Sequence, residues 1–233
     1  MHKGSGYDVI VVGVGAMGSA ACYQLASRGA RVLGLEQFDI PNARGSSHGQ
    51  SRMIRMAYYE HPDYVPLLRR AYELWDEIEG VSGQKLLHIT GGVYMGPPDG
   101  EVVAGSLQSA RRHGLGHELL DRAALAGRFP QFRVPDDWQA LYEDRAGFLL
   151  PERAVAAYAE AALRRGADLR GHEPLTAWRA TDRGVVVATT RGEYEAERLV
   201  FCGGAWSGKL LADLGVPLVV TRQVLGWVWP RKP

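Results

Sequence analysis

Apolar residues run without interruption through 9-VIVV-12 and return at 31-RVLGLE-36, and between them lie small residues at helical spacing. The run Asp8–Val12, closed by Gly13, predicts a buried parallel strand. Ala16, Ser19, Ala20 and Ala21 predict a helix over 16–28 with Gly29 as its stop, and 31–36 a second strand. Together they form a βαβ unit of the usual ~30 residues. Farther on, Asp63 is a candidate N-cap and Pro66 fits a first helical turn. Leu67, Leu68, Ala71, Leu74, Trp75 and Ile78 then mark one amphipathic helix. The pattern turns to β-type alternation over 86–96, and 97-PPDG-100 is a turn. Helical segments are expected at 104–113, 121–128 and 152–165, the last stopped by Gly166.

The second half reads differently. Strand-like pieces at 167–170, 175–180, 184–190 and 193–196 are separated by turns such as 182-DRG-184, and 198-RLVFCGGAW-206 is an apolar strand ending in glycines. This order predicts a parallel strand, a three-stranded antiparallel meander and a return to the parallel sheet. A helix at 207–214 and one or two strands over 218–230 complete the pattern. The fold class is α/β: a Rossmann-like domain with a β-meander, and part of a second domain built on an antiparallel sheet.

Charge narrows the function classes. With 27 Lys+Arg against 26 Asp+Glu the net charge is +1, and the arginines are interleaved with acids, as in 69-RRAYELWDEIE-79. A nucleic-acid partner would call for a basic stripe, so none is expected. Arg69 and Arg70 read as helix-surface ion pairs and Arg44 as a solvated side chain. The apolar run 9–12 is far too short to span a bilayer, and no secretory segment precedes it, so a cytoplasmic protein is expected. Cys22 and Cys202 have no metal-ligand spacing and read as reduced, buried and structural, with no metal site.

Gly13, Gly15 and Gly18 form G-x-G-x-x-G between the first strand and the helix, and Glu36 closes the second strand eighteen residues after Gly18. The first glycine permits the tight turn, the second lets the backbone approach a pyrophosphate, and the third allows close helix–sheet packing. The helix N-terminus, at Ala16 and Met17, attracts phosphate charge. Glu36, followed by Gln37, can accept hydrogen bonds from ribose hydroxyls. An accidental glycine turn would leave Glu36 unexplained. The fingerprint alone does not separate NAD from FAD. The delayed third parallel strand, the meander and the glycine-ended strand resemble flavoproteins with two dinucleotide-binding domains, which implies FAD.

The loop 44-RGSSHGQSRMIR-55 concentrates guanidinium groups around one imidazole. Together with 36-EQF-38, 64-YVPLLRRAYELW-75, 90-TGGVYMG-96, 147-GFLLPERAVAAY-158 and 203-GGAWSGKLL-211, it resembles the monomeric sarcosine oxidase family, which includes sarcosine, pipecolate and N-methyltryptophan oxidases. The resemblance implies flavin-dependent oxidation of the C–N bond of a secondary or N-methyl amino acid to an imine, with molecular oxygen reduced to hydrogen peroxide. It implies that Arg55 binds the substrate carboxylate, that Arg52 and His48 lie by the flavin ring, and that Tyr58 lies near the substrate. Ser46, Ser47 and Ser51 fall where the family's loop contacts the cofactor. Leu175 falls where backbone meets adenine, and Gly204 and Trp206 where the chain packs near the cofactor. Arginine suits the first role because its planar fork holds a carboxylate through two hydrogen bonds.

Members of that family are longer. The match ends inside the second domain's sheet at 223-QVLGWVWP-230, and neither Cys22 nor Cys202 matches the cysteine that holds flavin covalently in many members. The expectation is an incomplete FAD-binding domain from 1–86 and 152–220 and an incomplete substrate domain from 87–151 and 221–233. Two readings stay open: the N-terminal part of an amino-acid oxidase, or a non-catalytic FAD-binding module completed by another chain.

Overall fold

The computed structural model describes residues 6–229. Strand β1 (Tyr7–Val12), helix α1 (Ala16–Ser27) and β2 (Val32–Leu35) form the expected opening unit. Then come β3 (Arg52–Ile54), α2 (Val65–Ser82), β4 (Leu87–Ile89) and β5 (Gly92–Gly96). Next are α3 (Glu101–His113), β6 (His117–Leu120), α4 (Arg122–Arg128), β7 (Gln139–Glu143), β8 (Gly147–Leu149) and α5 (Pro151–Arg164). The chain continues with β9 (Asp168–Arg170), β10 (Leu175–Thr181), β11 (Gly184–Thr189), β12 (Glu193–Phe201) and a four-residue α6 (Ser207–Leu210).

Six strands make the main sheet in the order β10-β11-β12-β1-β2-β9, with β12, β1, β2 and β9 parallel and the meander antiparallel. Because β1 is covered on both faces, its residues divide alternately. Val9 and Val11 pack with Ala154, Ala157 and Ala161 of α5 and with Cys22 and Tyr23 of α1. Ile10 and Val12 pack with Leu33, Leu35 and the meander residues Val185 and Val187. The alanine face of α5 lets it lie close to α1, where Tyr23 and Tyr158 meet at 5.8 Å. Leu33 is fully buried, and truncating it to alanine would cost ~2–5 kcal/mol.

A flat six-stranded sheet would set its edges about 24 Å apart. The connection from edge strand β9 to edge strand β10 is only residues 171–174, which lets Arg170 and Leu175 stand ~18 Å apart at most. The sheet must therefore curl, laying the meander over the face of the parallel strands. That is where the second core cluster lies.

Several expectations need correction. The third meander strand and the returning parallel strand are one element. In β12, Ala196 pairs with Val185 on one side and with Tyr7 on the other, and nothing at Glu197 interrupts it. Asp63 is not the cap of α2: His61 caps a 3₁₀ turn at Pro62–Tyr64, its Nδ1 accepting from Asp63 N at 3.2 Å, and α2 starts at Val65 with Pro66 in its first turn. The 207–214 helix is broken into α6 and 3₁₀ turns at Gly204–Trp206 and Ala212–Leu214. Among the described residues 216–229 there is no strand. Val219, Val224 and Val228 there are almost fully exposed, and a β-prone sequence forms no ladder without a neighbour to pair with. Pro230 lies outside the described residues.

Two three-stranded sheets, β3-β8-β4 and β5-β7-β6, stand beside the main one. Four of their strands, β3, β6, β7 and β8, were not expected from the sequence. They are short and gain their stability from pairing rather than from pattern. Arg69 is no ion pair: it donates to the carbonyl of His113 at 2.8 Å, while Arg70 does pair with Glu73. Cys202 is only half buried. No disulfide forms among the described residues, and burial pushes the Cys22 thiol up to about 12.

Candidate functional site

At the carboxyl ends of β1, β2 and β12 the glycine turn opens onto a cavity of about 240 Å³. Gly13 is in the left-handed region (φ +91°), and a side chain there would strike the Cys202 carbonyl at 2.5 Å. Gly18 sits in the first turn of α1, where a Cβ would lie 1.8 Å from the Gly13 carbonyl. The helix start is thus pressed against the strand end as close dinucleotide approach requires. Gly15 is the residue before α1, and the first amide of that helix, Ala16 N, faces the loop that follows β2.

Glu36 is buried and lines the cavity. Its carboxylate accepts from Val14 N at 2.8 Å and from Phe38 N at 3.1 Å, so the acid and the glycine turn are fixed to each other. Each oxygen keeps a further lone pair for a hydroxyl. Gln37, Ser46, Leu175, Gly204 and Trp206 also line the cavity, and Trp206 packs edge-on against Phe38 at 5.7 Å. Of the sequence-nominated cofactor residues, Ala16, Met17, Gly18, Ser47, Ser51 and Arg52 do not line it. Ser47 Oγ instead accepts from Ala16 N at 3.0 Å, tying the loop to the start of α1, and Met17 is largely exposed.

The rest of the loop runs away from the cavity. His48 Nδ1 meets the Gly45 carbonyl, and Gly49 N donates to Glu152 at the start of α5. Arg52 folds back on Ser46 O and Ser51 O, and the Ser51 hydroxyl accepts from Trp227 Nε1 at 3.0 Å. Arg55 is partly buried and pairs with Glu60 at 2.9 Å, with its guanidinium over the rings of Tyr58 (4.6 Å) and Tyr59 (5.2 Å). Among the described residues its Nε has no hydrogen-bond partner. Arg55 and Tyr58 therefore come together, whereas His48 and Arg52 occupy a separate stretch of the loop.

Sequence reasoning missed three contributors. Fully buried Glu143 accepts from Met56 N (2.7 Å), Ala57 N (3.0 Å) and Tyr94 OH (2.6 Å), and so anchors the chain just after Arg55. Burial and the Glu143 charge together push the Tyr94 phenol far above its usual value. Lys209 lines the cavity, and so does Glu173, which is fully buried. The acid in 172-HEPL-175, placed before a strand, was the one available signal for Glu173. Among the described residues no cluster of His, Cys, Asp or Glu could hold a metal, and no helix is long and apolar enough to cross a membrane.

The family model for FAD dependent oxidoreductases matches residues 8–232. The chain belongs to that family. A monomeric sarcosine oxidase from Streptomyces avermitilis is 51% identical over 97% of this chain, and the match spans 59% of that relative's length. The N-methyl-L-tryptophan oxidase of Escherichia coli K12 is 37% identical over 95% of this chain and 59% of its own. Among solved structures, the open form of NikD, an unusual amino acid oxidase essential for nikkomycin biosynthesis, superposes with a TM-score of 0.81. It is 30% identical, covering 91% of this chain and 55% of NikD. The chain thus spans about three-fifths of the length of the curated relatives it matches. The glycine turn without room for a Cβ, the helix amides and the buried ribose-type carboxylate fit the adenosine diphosphate end of FAD. A cavity of this size is smaller than the ~300–1,000 Å³ of whole small-molecule sites, so it suits that end rather than the entire cofactor.

Proposed function

We propose that this chain carries the FAD-binding part, and one wall of the substrate site, of an enzyme that oxidises the C–N bond of a secondary or N-methyl amino acid. The observation that carries this reading is a single segment, 44–60, that runs through β3 with the dinucleotide cavity at one end and a partly buried arginine at the other. FAD, when bound, supplies the two-electron acceptor, and molecular oxygen restores it. Gly15 leaves space for the pyrophosphate while Gly13 and Gly18 let the turn and the helix start pack closely, Glu36 holds the ribose, and Leu175, Gly204 and Trp206 form the surrounding wall.

Arg55 binds the substrate carboxylate. Its fork is already held by Tyr58 and Tyr59 and already faces a carboxylate, that of Glu60, which the substrate replaces. Positive charge from Arg52 and Arg55 disfavours the ammonium form of the amine, so the substrate loses its proton more readily. Tyr58 lines the approach beside Arg55, and His48 stands with Arg52 on the flavin side.

Sarcosine, pipecolate and N-methyltryptophan are the substrates to test, with peroxide release as the readout and the corresponding decarboxylated amines as controls. Peroxide from the amino acids alone fits the proposal, and equal turnover of the decarboxylated amines overturns it. The exposed apolar residues at 219–229 favour one second reading, a FAD-binding module that needs a complementing chain. FAD binding without peroxide would support that reading.

A further inference from the structure

Glu173 is fully buried, and its Oε2 has no hydrogen-bond partner among the described residues. Its other oxygen accepts from Tyr194 OH at 2.6 Å and from Thr189 Oγ1 at 2.8 Å, both on the meander. Arg191 and Arg170 approach Oε2 at 3.8 and 4.0 Å without bonding to it. Tyr194 in turn accepts from Arg170, which grips Asp168, which accepts from Tyr7. One buried acid thus joins the meander to the parallel strands through a chain of polar groups.

Its place in the backbone matters as much. Residues 171–174 are the short connection that holds the curled sheet closed, and they lie along 36–38: His172 N donates to Phe38 O at 3.1 Å and Glu173 N to Glu36 O at 2.8 Å. His172 is left-handed (φ +54°), the one non-glycine so among the described residues. A strained residue persists where its surroundings over-determine it, and here the next side chain supplies that constraint. Glu173 stands between Glu36 and Leu175 on the cavity wall.

We propose that Glu173 is a positioning residue for the adenosine end of the cavity. By locking the 171–174 connection to Thr189 and Tyr194, it sets the spacing between Glu36 and Leu175. This rests on the FAD reading above, but its test can fail separately.

Thermal shifts of this chain are measured with ADP and with inorganic pyrophosphate, which engages only the glycine turn and helix start. Wild type should be stabilised by both. Glu173→Ala, which removes the oxygen that accepts from Thr189 and Tyr194 and is shown folded by circular dichroism, should weaken ADP binding at least tenfold and leave the pyrophosphate shift unchanged. Equal affinity for ADP, or equal weakening of both ligands, overturns the proposal, the second because it means only general support of the fold. No response of wild type to either ligand, or to FAD, removes the cofactor reading itself. If Glu173→Ala does not fold, Tyr194→Phe, which removes one donor to the carboxylate, should weaken ADP several-fold with pyrophosphate unchanged. Unaltered ADP binding there overturns the proposal as well.

Discussion

Replacing Gly18 by alanine isolates the close contact on which the dinucleotide turn depends. A Cβ at that position lies 1.8 Å from the Gly13 carbonyl oxygen, 2.8 Å from its carbon and 3.3 Å from Cys202 Cβ. Relief to 3.0 Å, the shortest separation real Cβ atoms show, needs about 1.2 Å of motion. Gly13 cannot yield, because its amide is bonded to Leu35 O at 2.8 Å and its own Cα faces the Cys202 carbonyl. The start of α1 must be displaced instead. Overpacking of this kind costs ~1–3 kcal/mol, and alanine returns up to ~1 kcal/mol through its helix propensity, so the net loss is about 1–2 kcal/mol. For a chain of this size that lowers the melting temperature by ~2–8 °C. Gly80 is the internal control: it lies inside α2, and a Cβ there meets nothing within 4 Å. Gly80→Ala should leave the melting temperature unchanged or raise it by ~1–4 °C. Differential scanning calorimetry of both variants decides the matter. A Gly18→Ala protein as stable as the Gly80→Ala protein would refute the packing argument.

Glu143→Gln should destabilise the protein by ~2–4 kcal/mol, because an amide can accept from only one of the two N–H groups and leaves the other facing an NH₂. Urea unfolding reads this directly, and a loss under ~0.5 kcal/mol would contradict it. The Arg170 guanidinium beside Asp168 holds that carboxyl below its ordinary value. A depressed folded pKa contributes stability that is full above the unfolded value of about 3.9 and is lost as pH falls through the folded one. Asp168→Asn should therefore unfold at lower urea than wild type at pH 7, with the gap narrowing at a pH below the unfolded value of about 3.9. A gap of equal size at both pH values would mean that the charge is not responsible.

The opening βαβ unit was legible because its residues are buried on both faces and punctuated by glycines whose roles are steric, as Gly13 and Gly18 show. The meander was legible from its turns, yet β12 was read as two pieces because a strand paired on two sides has no internal marker. The short strands β3, β6, β7 and β8 were not legible, since three to five residues carry too little periodicity and their pairing partners lie far along the chain. Of the residues marked by glycine or by a strand end, Gly13, Gly15, Glu36 and Gly204 line the cavity and Gly18 does not. Glu143 and Glu173 were not legible, because a buried acid looks like any other acid until the donors that satisfy it are brought together. Ser51 and Arg52, nominated by resemblance, engage Trp227 and loop carbonyls instead of the cavity.

The proposed function requires that this chain by itself holds the adenosine diphosphate end of FAD. Titration of the purified chain with FAD, followed by calorimetry and by the visible difference spectrum, decides this. One FAD should bind per chain, displaced by ADP and not by FMN, with Glu36→Gln weakening the binding at least tenfold. No binding, or competition by FMN as effective as by ADP, would contradict it.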